Sequence, residues 1–151
     1  MIITYYAFLP ILLAGIVGFL FGWLWHSENL FMKWWLEGMK ITKADMSGRP
    51  KGYHMKVMIY TFIVIFVMNG VLAFLLDILQ PENLKQALSF SVLIALGIIG
   101  MRNFVDMIYT APENFWGMRA QKKFFVDTGY YVCMFALTTF VMYYVQTNLV
   151  S

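Results

Sequence analysis

Four long apolar runs dominate this chain. They cover residues 5–25, 57–79, 84–109 and 124–145. A helix needs about 20 mostly apolar residues to cross roughly 30 Å of hydrocarbon, and each run reaches that length. Strands are a poor fit, because unpaired backbone groups are too costly in lipid and the runs are too long for barrel strands. The pattern predicts an all-α integral membrane four-helix bundle.

The polar punctuation is consistent with this plan. Gln80-Pro81-Glu82-Asn83 separates the second and third runs. Proline suits a first helical turn, and an acidic residue there favours the helix dipole. Ala111-Pro112-Glu113-Asn114 ends the third run. Between the first two runs the pattern changes character. Asn29, Lys33, Glu37 and Lys40 share one helical stripe, while Leu30, Phe31, Trp34, Trp35 and Met39 fall largely on the other side. This predicts an amphipathic helix over 29–40, lying in the headgroup plane and anchored there by Trp25, His26, Trp34 and Trp35. Thr42-Lys43-Ala44-Asp45 then resembles a capping box with Asp in place of Glu, and residues 47–52 read as a flexible basic turn.

Composition excludes the soluble alternative. Of 151 residues, 61% are hydrophobic and only 13% charged, against about 25% charged in an average soluble domain. Nothing marks a second domain, so 1–151 is read as one transmembrane unit. The start lacks a basic n-region and a small-x-small cleavage site, so it is expected to remain as a helix. The formal charge is +3, but its basic residues sit at the ends of apolar runs rather than on one face. Membrane lipids are therefore the expected partners, and nucleic acid is not.

Those basic residues set an orientation. The first connection holds Lys33, Lys40, Lys43, Arg49, Lys51 and Lys56, and the third holds Arg119, Lys122 and Lys123. The turn between runs two and three holds only Lys85. Both long connections are expected in the cytoplasm and both termini outside. Tyr5, Tyr6, Tyr143 and Tyr144 would form an outer aromatic belt, and Trp23, Trp25, Tyr109 and Trp116 an inner one. Cys133 is the single cysteine, which rules out an intrachain disulfide. It is expected to be a small packing residue.

Trp25-His26-Ser27, Leu30-Phe31, Trp34, Met39-Lys40-Ile41-Thr42 and Asp45-Met46 together resemble the opening of the domain of unknown function 1761 family. Those are small bacterial membrane proteins. Their first helix commonly ends in an aromatic pair plus Ser-Pro, followed by an aromatic-rich segment and a Leu-Thr-Glu-Asp-like stretch. Val126-Asp127-Thr128-Gly129-Tyr130-Tyr131 resembles the family's Asn-x-Gly-Tyr opening of the last helix. Glu28 stands where the family usually has proline, and Asp127 stands close to a common asparagine. The resemblance implies four helices in a bacterial cell membrane and lends no activity.

The candidate site residues are the polar groups inside the spans, which are costly there and usually face protein or water. Arg102 and Asp106 are four residues apart on one face, and Asp127 lies at similar depth on the next helix. A buried Arg102–Asp127 or Arg102–Asp106 bridge is expected, with a proton or ion relay as the functional alternative. Asn69 is expected to hydrogen-bond between helices. Ala14, Gly18 and Gly22 form a small-residue stripe that permits close helix approach, within the chain or between copies. His26 and Glu28 are too few to make a metal or haem site, so no cofactor is expected. No nucleophile–base pair stands out.

The leading expectation is a non-catalytic structural or accessory membrane protein. It would self-associate as a homo-oligomer or dock on a larger membrane complex. The alternative is a small oligomeric transporter or channel. A lipid enzyme with Arg102 and His26 holding a headgroup ranks last.

Overall fold

The computed structural model describes residues 8–110 and 118–148. The expectations for Tyr5, Tyr6, Trp116 and the break at 111–114 fall outside the described residues. The described elements are all helical. They are α1 (Phe8–Trp25), α2 (Met32–Met39), α3 (Lys43–Ser47), α4 (Tyr53–Leu79), α5 (Leu84–Ile94), α6 (Met101–Thr110) and α7 (Met118–Asn148), with a π-helical turn (Ala95–Gly100) joining α5 to α6. α1, α4, the continuous α5–α6 rod and α7 are each long and apolar enough to cross a membrane.

The helix ends have local causes. Thr42 and Asp45 form the reciprocal capping box: the Asp45 N–H donates to Thr42 Oγ1 at 3.2 Å, and the Thr42 N–H donates to Asp45 Oδ2 at 2.7 Å. That satisfies two N–H groups a helix start otherwise leaves unpaired. α4 begins one turn earlier than the apolar run, after Gly52 at φ +81°. This is left-handed backbone that glycine adopts without steric cost. α4 ends at Gln80, also left-handed, whose N–H donates to Leu76 O at 3.0 Å.

The following turn corrects one expectation. Pro81 and Glu82 precede α5 rather than opening it. Asn83 takes the capping position instead, its side chain accepting from the Gln86 N–H at 3.0 Å. A short polar side chain satisfies that donor where proline offers nothing.

α7 is the hub. It packs on α1, α2, α5, the π turn and α6, while α4 packs mainly on α1. The core lies along α7 and includes Ala14, Ile65, Leu72, Ala87, Ala95, Met134 and Met142. The α1 stripe is used inside the chain. Ala14 is fully buried. A Cβ on Gly18 would lie 3.1 Å from Thr138 Cγ2 and 3.2 Å from Ile65 Cγ2, and one on Gly22 would lie 2.7 Å from the Tyr130 hydroxyl oxygen. Van der Waals packing of this kind replaces the hydrophobic effect, which gives helices no mutual attraction in lipid.

The π turn changes the register of the third span. Ala87, Ser91 and Ala95 are buried at intervals of four. The next buried position is Gly100, five residues on, and then Met107. Within the turn the Met101 N–H reaches back five residues to Leu96 O. One inserted residue rotates everything beyond it by about 100° relative to a plain α-helix.

Candidate functional site

The chain's polar side chains gather where α1 ends, α6 ends and α7 begins. Three glycines make this convergence sterically possible. Gly22 admits Tyr130, as above. A Cβ on Gly129 would lie 3.3 Å from Trp25 Cζ2, so the bare backbone lets the Trp25 indole lie on α7. The indole N–H then donates to Val126 O at 3.1 Å. Gly38 presses α2 onto α7 so closely that a Cβ there would lie 2.6 Å from Lys123 Cβ. Trp25 is thus a wedge between two helices rather than a lipid-belt residue, and α2 is clamped to α7.

Ion pairs hold the same end. Lys122 Nζ donates to Glu37 Oε2 at 2.5 Å, tying α7 to α2. That hydrogen bond holds the Glu37 carboxyl below its ordinary value of 4.5. Lys123 Nζ lies 3.0 Å from Asp106 Oδ2 and 3.3 Å from Asp127 Oδ2. The expected Arg102 lock is therefore replaced by one centred on Lys123. Arg102 is exposed because the π turn has rotated it away from α7. It lies about 12 Å from the end of α6, at about 1.5 Å per residue. Its aliphatic stem can lie along apolar surface while its head reaches toward the polar layer.

The same rotation turns Asn103 inward, where its amide donates to Thr128 Oγ1 at 3.3 Å. Thr128 in turn packs its methyl 3.3 Å from where a Gly100 Cβ would be.

Asn69 also departs from expectation. It is fully buried, but its amide donates back to Ile65 O in its own helix at 2.9 Å, and Oδ1 has no partner among the described residues. The interhelical bond is made instead by Ser91 Oγ and Thr139 Oγ1, 2.5 Å apart and both fully buried. Cys133 is exposed on α7 rather than packed. Glu28, weighed with His26 as a metal pair, lies 2.7 Å from Lys43 Nζ in an exposed ion pair.

His26 belongs to a different neighbourhood. Its Nδ1–H donates to Gly22 O at 3.0 Å, since a carbonyl can only accept. Its ring meets Trp35 and Tyr130 edge to face, with centroids 5.5 and 5.2 Å away. These residues open onto a cleft of about 390 Å³. Asn103, Asp127, Tyr130, Tyr131 and Thr61 supply its other polar groups. Val57 and Met58 of α4 form an apolar edge, and Phe19 and Ile65 add further apolar lining.

The site residues missed in sequence were Lys123, Gly38 and Tyr130, while Asn103, expected to help fix the Arg102 region, bonds to Thr128 instead. Lys123 and Asp127 carried a signal, because they stand at i and i+4 on one helix face. Gly38 carried one too, as a bare position inside the amphipathic segment. The two stretches that carry the family resemblance, around Trp25 and around Gly129, are the two that meet here. A family model described as protein of unknown function (DUF1761) matches residues 9–143. The chain belongs to that family. No curated protein and no solved structure matches it.

Proposed function

For this member of the DUF1761 family, we propose a non-catalytic accessory role in the membrane, in which the chain self-associates or docks on a larger assembly. One contrast among the helical glycines carries the reading. Gly15, Gly18, Gly22, Gly38, Gly100 and Gly129 each have a neighbour that a Cβ would crowd, whereas Gly70 and Gly97 have open space where theirs would be. Glycine inside a helix costs about 1 kcal/mol relative to alanine. Six of these glycines permit a close contact within the chain in return. Gly70 and Gly97 would permit one across an interface. Leu93, Leu96, Ile98 and Met101 are exposed around Gly97.

The test is assembly size in nanodiscs. Wild type is expected as an oligomer, and Gly97→Leu or Gly70→Leu as a monomer of unchanged helicity. A wild-type monomer with no accompanying protein at any loading sinks the reading.

The basic connections support an inward-facing α2 with both termini outside. After Cys133→Ala, Asn148→Cys should label with an impermeant thiol reagent from the outside of intact cells. Labelling only after permeabilisation overturns that orientation.

The cleft favours a second reading, a small transporter. Its lining includes Ile65, one helical turn along α4 from buried Asn69. Solute or ion flux into proteoliposomes that Asn69→Leu abolishes would support it, and flux no greater than in empty liposomes would exclude it.

A further inference from the structure

We propose that the cleft between α1, α4, α6 and α7 binds an organic ammonium group carried on an apolar body. Among the described residues its lining contains one carboxylate, Asp127, and no Lys or Arg. Lys123, which pairs with that carboxylate at 3.3 Å, is shared with Asp106 and lies closer to Asp106, at 3.0 Å. Asp127 therefore presents negative charge to the cleft that Lys123 only partly offsets.

Aromatic rings complete the wall. Trp23, Trp35, Tyr130 and Tyr131 line the cleft with His26. The negative faces of such rings attract an ammonium group, most strongly where water is excluded. Neighbouring contacts fix Tyr130 in place. It stacks on Phe21 with centroids 6.0 Å apart and planes 10° from parallel, and it packs against Tyr131 at 5.0 Å. A preformed ring of this kind costs little to order on binding.

Size and access narrow the ligand further. About 390 Å³ falls in the range of small-molecule sites, roughly 300–1,000 Å³, and is far larger than a bare metal ion needs. No group of three or more metal-ligating side chains occurs among the described residues. The α4 edge is apolar, with Val57 and Met58 both exposed. α4 packs on α1 and only sparingly on α5 and α7, so its edge is the least tightly held wall of the cleft. A molecule with a hydrocarbon part can enter there while its ammonium group reaches Asp127.

The ammonium group can come from a lipid headgroup or from a soluble organic cation, and the experiment has one arm for each. Detergent-solubilised protein is titrated calorimetrically with benzyltrimethylammonium. Protein from nanodiscs containing phosphatidylethanolamine is examined by native mass spectrometry. One equivalent bound per chain in the first arm identifies a soluble cation, and one retained lipid in the second identifies a headgroup. Asp127→Asn is expected to weaken the positive arm at least tenfold with unchanged helicity. If that variant does not fold, Trp35→Leu on α2 takes its place, with a severalfold loss expected. Binding in neither arm overturns the proposal. So does binding that neither substitution changes, or that an alkyl sulfate of the same length displaces as readily as the ammonium compound.

Discussion

α7 is gripped in two different ways along its length. In its middle, Thr138 packs against Gly18, and Thr139 shares a hydroxyl contact with Ser91. These contacts are short-ranged, dry and without formal charge. At its first turns, α7 meets α2 through Glu37–Lys122, α6 through Asp106–Lys123, and α1 through an indole N–H. The middle depends on shape and the first turns depend on charge and direction. The difference follows from surroundings. In hydrocarbon only close packing and satisfied hydrogen bonds hold helices together, whereas charged side chains near a polar layer keep access to water.

Perturbing the middle should have the largest effect. Gly18→Leu forces a side chain into a gap where a Cβ alone sits about 3 Å from two neighbours, and overpacking of this kind costs up to about 3 kcal/mol or more. A loss of folded yield and a lower thermal midpoint in detergent are expected; an unchanged midpoint would show that α1 does not depend on this contact.

Deleting Gly97 tests what separates the two zones. It removes the extra residue of the π turn, so a plain α-helix then joins α5 to α6 with the same faces: Asn103 and Met107 stay turned toward α7 and Arg102 stays outward. A stability change of no more than about 1 kcal/mol is expected. A cysteine placed at position 102 should label readily both in the parent and in the deletion. Poor labelling in the deletion would mean that the turn does not absorb one residue.

Gly38→Ala probes the charged zone sterically. Its methyl would meet Lys123 at 2.6 Å from Cβ and 3.1 Å from backbone atoms, so α2 must lift by about 0.8 Å to reach the 3.4 Å of ordinary contact, or detach. A local cost of about 1 kcal/mol is expected, seen as faster amide exchange over 32–39 with the spans unaffected.

The smallest effect is a pH dependence of α2. Glu37 has a lowered pKa in the fold because Lys122 hydrogen-bonds to its carboxylate. A depressed acid stabilises the folded form above its unfolded value, near 4.5, and loses that contribution as pH falls through the folded value. Exchange over α2 should therefore quicken below about pH 4.5 in wild type. In Glu37→Gln that step should vanish. Asp45, lowered by its bonds to Thr42, predicts the same direction for α3.

The legible parts of this molecule were the local ones. Apolar run length located the spans, and Thr42 with Asp45 announced a capping box that the structure forms. Arg102 was misplaced because its four-residue spacing from Asp106 and its depth beside Asp127 were read along an unbroken helix, and the π turn rotates it outward. The cleft was illegible, since its walls come from five helices that are far apart in the chain.

What the sequence by itself determined is that this chain lives in a membrane as long helices, with its basic residues gathered in two connections. Hydrophobic length and backbone hydrogen bonding settle that within each segment, with no knowledge of the neighbours. Only the tertiary structure decided which face of each helix points inward. Ala14, Gly18 and Gly22 pack inside the chain because α7 offers Thr138 and Tyr130 at matching height. Lys123, not Arg102, holds Asp106 and Asp127 because one extra residue in a π turn outweighs a four-residue spacing read along the chain. Register between helices is a property of the contact, and no single helix carries it.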